Sequence, residues 1–111
     1  MPTDLLDYKK LYLQTAKEYL EKISSSLNQL SGNSADKEAL NNLHIASHSL
    51  KSQSQVMNYN DVAEISKSLE EISNNALLTD IPLTGDVVAN AKKSAEELNK
   101  ILKQVQDDTG K

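Results

Sequence analysis

The 111-residue chain has no cysteine, arginine, tryptophan or phenylalanine. Without cysteine it cannot form disulfides, thiolate metal sites or a cysteine nucleophile. With no arginine and a formal net charge of −4, it lacks the basic surface that nucleic-acid binding needs, so we expect no nucleic-acid partner. No apolar run is long enough for a membrane span and no signal-peptide core is present. We therefore expect a cytoplasmic protein that does not bind membranes.

The scarcity of helix-breaking residues indicates long helices. The two prolines and three glycines lie near the chain ends or in two short stretches. Between them, apolar residues recur at the three- and four-residue spacing that is typical of one helix face. We predict four helices over about 3–31, 34–57, 61–76 and 84–106. They form an all-α, antiparallel, up-and-down four-helix bundle, a single domain of residues 1–107 followed by a polar tail, 108–111.

Local signals predict where these helices begin and end. Thr3 and Thr84 are N-cap candidates for the first and fourth helices. Gly32 suits the left-handed position that ends many helices, and Asn58 tolerates the same conformation at the end of the second helix. Residues 77–83 are predicted to be a connector.

His44 and His48 are the two histidines of the chain, and both lie in the second helix. The apolar stripe of this helix consists of Ala35, Ala39, Leu40, Leu43, Ala46, Ser47, Leu50, Ser54 and Met57. At about 100° per residue, His48 lies roughly 150° from the centre of that stripe. We therefore predict that the His48 side chain is exposed.

The neighbours of His48 on the helix surface define its surroundings. His44, Lys51 and Gln55 lie on the same outer strip, and Ile45 and Val56 point outward beside it. Three interpretations fit these residues: an ordinary solvated helix face, a metal site that uses both histidines, or a phosphoryl acceptor. A metal site is disfavoured because no third ligand is spaced near the histidines and the positive charge of Lys51 would repel a cation. An exposed histidine with a lysine one turn away meets the demands of phosphoryl transfer.

The stretch SHSLKSQSQVMNY resembles the signature of the histidine phosphotransfer (HPt) domains. In that family, His-x-x-Lys is followed by a small residue, an apolar residue and a closing glycine. His48 and Lys51 match, and Ser54 and Met57 supply the small and the apolar residue. Two positions depart from the family pattern: glycine is usual where Ser52 stands, next to the lysine, and where Asn58 closes the helix.

The third and fourth helices extend the resemblance. Leu69-Glu70 is similar to the pair found in the N-terminal phosphotransfer domain of CheA-type chemotaxis histidine kinases. The helix lengths and the opening of the fourth helix, residues 83–86, resemble that subfamily as well. The similarity covers nearly the whole chain.

The resemblance implies a role for three residues. His48 accepts a phosphoryl group on Nε2, Lys51 stabilises the phosphoryl oxygens, and Glu70 accepts a hydrogen bond from Nδ1–H and so fixes the tautomer. On the helical wheel Glu70 lies about 120° from the apolar centre of its helix, which allows contact with the second helix but does not require it. A plain surface carboxylate beside Glu71 remains the alternative for Glu70.

The resemblance also implies partners. A histidine kinase catalytic domain charges His48, and the aspartate of a response-regulator receiver domain takes the phosphoryl group in a chemotaxis-type two-component pathway. Docking is expected on the second helix through Ile45, Ser52, Gln55 and Val56. The domain itself binds no cofactor and no metal, has no ATP site, and is expected to be a monomer; ATP and Mg²⁺ come with the partners.

Two other functions stay open at this point. The first is a phosphoacceptor dimerisation hairpin of a sensor kinase, in which an acidic residue usually follows the histidine and a proline comes shortly after. Here Ser49 follows His48, and the next proline is Pro82. The second is a non-catalytic helical adaptor in which His48 is incidental.

Overall fold

The structure, a computed structural model, describes residues 5–109, which form four α-helices and no strand. The helices are α1 (Leu5–Gly32), α2 (Lys37–Val56), α3 (Asn60–Thr79) and α4 (Gly85–Thr109). Each helix packs against the next one along the chain and α4 returns against α1, so the predicted all-α up-and-down bundle is confirmed. The predicted cap at Thr3 and the last two residues of the predicted tail lie outside the described residues.

The connection between α1 and α2 differs from the prediction. α2 begins at Lys37 and not at residue 34, because the preceding residues form a turn in which the Asp36 N–H donates to the Asn33 carbonyl oxygen (3.1 Å). The Asp36 carboxylate then caps α2 by accepting a hydrogen bond from the Ala39 N–H (3.1 Å). Gly32 is the last helical residue of α1, and no glycine within residues 5–109 has a positive φ, so its predicted left-handed role is wrong.

The third and fourth helices both extend beyond their predicted ends. α3 continues to Thr79, three residues past the prediction, and α4 continues to residue 109. Asn74 and Asn75 do not end α3, because Leu77 packs against the core and this burial outweighs the weak helix propensity of asparagine. The connector is therefore residues 80–84, and the first two residues of the predicted tail are helical.

Two predicted helix ends are confirmed. Asn58 adopts the left-handed conformation (φ 65°) after α2. Its N–H donates to the Gln55 carbonyl oxygen (3.1 Å), and the next N–H donates to the Ser54 carbonyl oxygen (2.8 Å), which is the hydrogen-bond pattern of a Schellman turn. At the start of α4, the Thr84 hydroxyl oxygen accepts a hydrogen bond from the third N–H of the helix (3.2 Å).

The core consists mainly of leucine, isoleucine, valine and alanine side chains from all four helices. The predicted stripe of α2 is buried except for Ala35, which is exposed ahead of the helix, and Met57, which is half-buried. The most extensive packing joins α2 to α3, so side chains of α3 cover part of the outer strip of α2. None of the helices within residues 5–109 is apolar enough along its length to cross a membrane.

The left-handed conformation of Asn58 generates a stability prediction. Replacing Asn58 by alanine should lower the free energy of unfolding by about 1 kcal/mol, because alanine keeps the Cβ that disfavours positive φ but lacks the short polar side chain that offsets this cost through local hydrogen bonds. Replacing it by glycine should not lower the stability. Urea denaturation measures both, with Asn41→Ala, an exposed change inside α2, as the control. Equal stability of Asn58→Ala and Asn58→Gly would contradict the argument.

Candidate functional site

His48 lies in the middle of α2 with its side chain 55% exposed, as the helical wheel predicts. Its Nδ1 lies 2.6 Å from Oε2 of Glu70 on α3. An ionised carboxylate can only accept hydrogen bonds, so the shared hydrogen belongs to His48 Nδ1. In the neutral ring, Nε2 then keeps a free lone pair on the opposite edge of the imidazole.

Glu70 is the acceptor for two donors of α2. Its side chain is only 14% exposed, and its Oε1 lies 2.6 Å from Lys51 Nζ while its Oε2 binds His48. Burial raises the pKa of Glu70, but the hydrogen bonds and charges of Lys51 and His48 lower it by more, so the pKa of Glu70 lies below its ordinary value of 4.5. Glu70 is therefore a charged, fixed acceptor rather than a plain surface carboxylate.

Lys51 differs from its predicted surroundings. The helical wheel puts it on the outer strip, but its side chain is only 21% exposed because α3 packs against this side of α2. Its ammonium group is bonded to Glu70, so in this state its charge is already paired. The wheel misses this contact because it treats each helix separately.

His44 lies one turn before His48 and does not bind Glu70. The two imidazole rings are nearly parallel (20°), with centroids 6.4 Å apart. His44 is half-buried, and its Nδ1 is enclosed without a hydrogen-bond partner. Within the part of the chain that the structure describes, no group of three His, Asp or Glu side chains is arranged to hold a metal ion.

The residues predicted for docking surround His48 on α2. Ile45 and Val56 are exposed by 55% and 84%, Gln55 is exposed, and Ser52 is half-buried.

Ser52 and Val56 line a shallow depression whose other wall comes from α1 and includes the exposed Tyr8 and Leu11. Sequence reasoning missed this wall, because only the packing of α1 against α2 brings it beside the His48 surface.

The arrangement combines a fixed edge and a free edge on one imidazole. The carboxylate orients the ring and stabilises positive charge that develops on it, and the exposed edge offers a nucleophilic nitrogen. The site lies on a helix surface and not in a cleft, so the exposed edge of the ring is open to another molecule.

Comparison with known proteins matches residues 7–108 to the family model described as the Hpt domain. The sensor histidine kinase CheAY of Helicobacter pylori is 25% identical over 104 residues, which cover 94% of this chain but only 13% of the relative. The chain therefore spans a small part of the length of this relative. The family resemblance predicted from the His48 stretch is confirmed.

Two solved structures share the fold. The CheA phosphotransferase domain from Thermotoga maritima superposes with a TM-score of 0.85 at 23% identity, covering 93% of this chain and 98% of that domain. The solution NMR structure of a protein with a redesigned hydrophobic core superposes with a TM-score of 0.81 at 20% identity, covering 94% and 91% of the two chains.

The lowered pKa of Glu70 predicts how stability depends on pH. The ionised carboxylate stabilises the fold above about pH 4.5, and this contribution is lost as the pH falls through the lower folded-state pKa. Glu70→Gln should therefore reduce the free energy of unfolding at pH 7 by about 1–2 kcal/mol, and the difference from the wild type should be smaller at pH 3. Urea denaturation at several pH values measures this, with Glu71→Gln, an exposed neighbour, as the control. A difference that is the same at pH 7 and pH 3 would show that ionisation of Glu70 is not linked to folding.

Proposed function

The chain belongs to the Hpt domain family, whose members carry phosphoryl groups in two-component signalling, and we propose that His48 is the residue that carries the group here. One observation supports the choice above all: His48 has its Nδ1 bonded to Glu70 and its ring more than half exposed. His44 lacks such an orienting carboxylate. A complete four-helix bundle in one chain also favours this function over a sensor-kinase dimerisation hairpin, which has to pair with a second copy.

His48 accepts the phosphoryl group through Nε2. The Nε2 lone pair attacks the γ-phosphorus of ATP held by the kinase catalytic domain, the bond from phosphorus to the bridging oxygen breaks, and ADP leaves with that electron pair. The ring now carries hydrogen on Nδ1 and phosphorus on Nε2, so it is positively charged. The Glu70 carboxylate, 2.6 Å from Nδ1, stabilises this charge.

In the second transfer, the phosphoryl group leaves Nε2 and passes to the receiver domain. A carboxylate oxygen of the receiver aspartate attacks the phosphorus, the Nε2–P bond breaks, and its electron pair returns to the imidazole. ATP and Mg²⁺ enter with the partner domains, and the domain itself holds no cofactor. This chemistry takes place in the cytoplasm, where ATP is available, and the domain acts as a monomer.

Lys51 supplies positive charge beside the reacting group. Its Nζ is bonded to Glu70 before phosphorylation, so it is held close to His48 on the same side of α2. The phosphoryl oxygens carry negative charge during transfer and attract the ammonium group. Ile45, Ser52, Gln55 and Val56 form the surface on which the kinase and the receiver dock in turn.

We expect His48→Gln to abolish phosphorylation and to leave the fold intact, because an exposed side chain is removed from a helix. Intact-mass spectrometry after incubation with a CheA-type kinase core and ATP measures the acid-labile phosphoryl group, and circular dichroism checks the fold. His44→Gln is the matched control and should still be phosphorylated. A folded His48→Gln variant that accepts the group would overturn the assignment.

For Lys51→Ala we expect slower phosphorylation without complete loss, since the lysine assists through charge and is not the nucleophile. A decrease of about tenfold corresponds to about 1.4 kcal/mol in the activation barrier. The rate is measured with the same kinase core, and Lys93→Ala, an exposed lysine on α4, is the control. An unchanged rate in Lys51→Ala would remove Lys51 from the mechanism.

A further inference from the structure

α2 and α3 contain the same eight-residue pattern. Residues 47–54 read SHSLKSQS and residues 66–73 read SKSLEEIS. Both segments begin and end with serine, and both have leucine in the fourth position and a charged residue in the fifth. The charged residues are Lys51 and Glu70, which form the 2.6 Å ion pair of the site. The two segments therefore meet at equivalent positions.

Contacts at two levels fix the register of α2 against α3. Near the start of α2, Lys37 Nζ lies 3.1 Å from Asp80 Oδ1, and in the middle of the helix His48 binds Glu70. Because the helices are antiparallel, each step forward along α2 corresponds to a step back along α3. The Lys37–Asp80 and His48–Glu70 contacts agree with one antiparallel alignment of α2 against α3 to within one residue.

This register brings the terminal serines of the two segments to matching levels. The three ion pairs of α2 with α3 put Ser47 within about one helical turn of Ser73 along the axis, and Ser54 within about one turn of Ser66. On a helical wheel each serine falls within about 60° of the buried leucine of its segment, on the side of the charged residue that contacts the other helix. All four serine residues are 0% exposed.

Where the hydroxyl groups of these serines have hydrogen-bond partners, the partners do not lie on the facing helix, and the partner of Ser54 is the Tyr12 hydroxyl group on α1 (2.7 Å). The hydroxyl groups of Ser47 and Ser73 turn back to the carbonyl oxygens of Leu43 (2.6 Å) and Leu69 (3.0 Å) in their own helices. The Ser66 hydroxyl is buried without any hydrogen-bond partner. An unpaired buried hydroxyl is unfavourable, so Ser66 contributes through its small volume.

We propose that Ser47, Ser54, Ser66 and Ser73 are positioning residues that set the distance between α2 and α3 so that Glu70 reaches His48. Helix separation depends on the side chains at the contact, and smaller side chains allow a closer approach. A hydrogen bond of 2.6 Å is lost when its atoms separate by about 1 Å more. One pair of serines lies on each side of Glu70 along the helix axis. Their small side chains keep α2 and α3 close together where the hydrogen bond between His48 and Glu70 forms. The proposal rests on the proposed role of His48.

The test enlarges one serine and follows the His48 ring directly. Ser66→Val adds volume at the interface, and Ser66→Ala is the matched control, because it keeps the position small and removes the unpaired hydroxyl. The ¹⁵N chemical shifts of the His48 ring report which nitrogen carries the hydrogen. We expect Ser66→Ala to keep the Nδ1–H tautomer and the phosphorylation rate, and Ser66→Val to give mixed tautomers and a rate about tenfold lower, or about 1.4 kcal/mol.

A double-mutant cycle separates positioning from a general packing defect. If Ser66 acts through Glu70, adding Ser66→Val to Glu70→Ala should cause no further loss of rate. Ser26→Val places the same volume at a buried serine of α1 and should leave the His48 tautomer unchanged. If Ser66→Val does not fold, Ser66→Thr, which adds a single methyl group, takes its place in every measurement.

Two results would overturn the proposal. One is a folded, enlarged Ser66 variant that keeps both the wild-type tautomer and the wild-type rate. The other is an equal loss of rate with and without Glu70, which would indicate packing alone. The nitrogen shifts are measured on unphosphorylated protein, so they decide the positioning role even if wild-type His48 accepts no phosphoryl group. That last result would count against the proposed function alone.

Discussion

The carboxylate of Glu70 joins α2 to α3 at the candidate site, because it accepts hydrogen bonds from His48 and Lys51 at 2.6 Å each. Removing a carboxylate from water is unfavourable, and here two donors more than compensate, so the pKa of Glu70 is lowered although the group is largely buried. Both donors lie on α2 and the acceptor lies on α3. The orientation of the imidazole, the pairing of Lys51 and the choice of tautomer therefore all depend on how these two helices pack.

This packing explains how a convex surface can take part in group transfer without a cleft. One edge of the His48 ring is held by Glu70, and the ring is more than half exposed. In the proposed function, a partner brings its own nucleotide and metal ion to the exposed edge. Helices are suitable carriers for such a site, because their backbone hydrogen bonds are satisfied internally and the side chains keep fixed relative positions. Ile45 and Val56 are exposed on the same helix, and in the proposed function they give a partner apolar surface to bind.

The buried serines of α2 and α3 link the packing of the core to the position of Glu70 at the candidate site. In a core made mostly of leucine, isoleucine, valine and alanine, four fully buried serines stand out as small polar residues, two on α2 and two on α3. Three of their hydroxyl groups have hydrogen-bond partners, and Ser66 has none. A larger apolar residue would bury more area at the same position, but it would also separate the helices at the level of Glu70.

The sequence by itself determined the elements and the direction of His48. Apolar spacing along a helix reports which face is buried, so it was enough to predict four helices, the bundle and an exposed His48. The helix ends at Thr84 and Asn58 were also predictable, because each depends on hydrogen bonds to residues close by in the chain. The extension of α3 past Asn75 was not, because the burial of Leu77 depends on the other helices.

Only the tertiary structure decided the surroundings of Lys51, Glu70 and the α1 wall beside Val56. A helical wheel describes one helix and cannot show which neighbouring helix covers part of its surface. It therefore placed Lys51 on the exposed side of α2 and did not decide whether Glu70 contacts α2. Family resemblance named Glu70 as the partner of His48, but the hydrogen bond itself requires α2 and α3 to approach closely in one register. That register arises from the packing of side chains on α2 and α3 that are far apart in the chain, and the periodicity of a single helix does not reveal which of them meet.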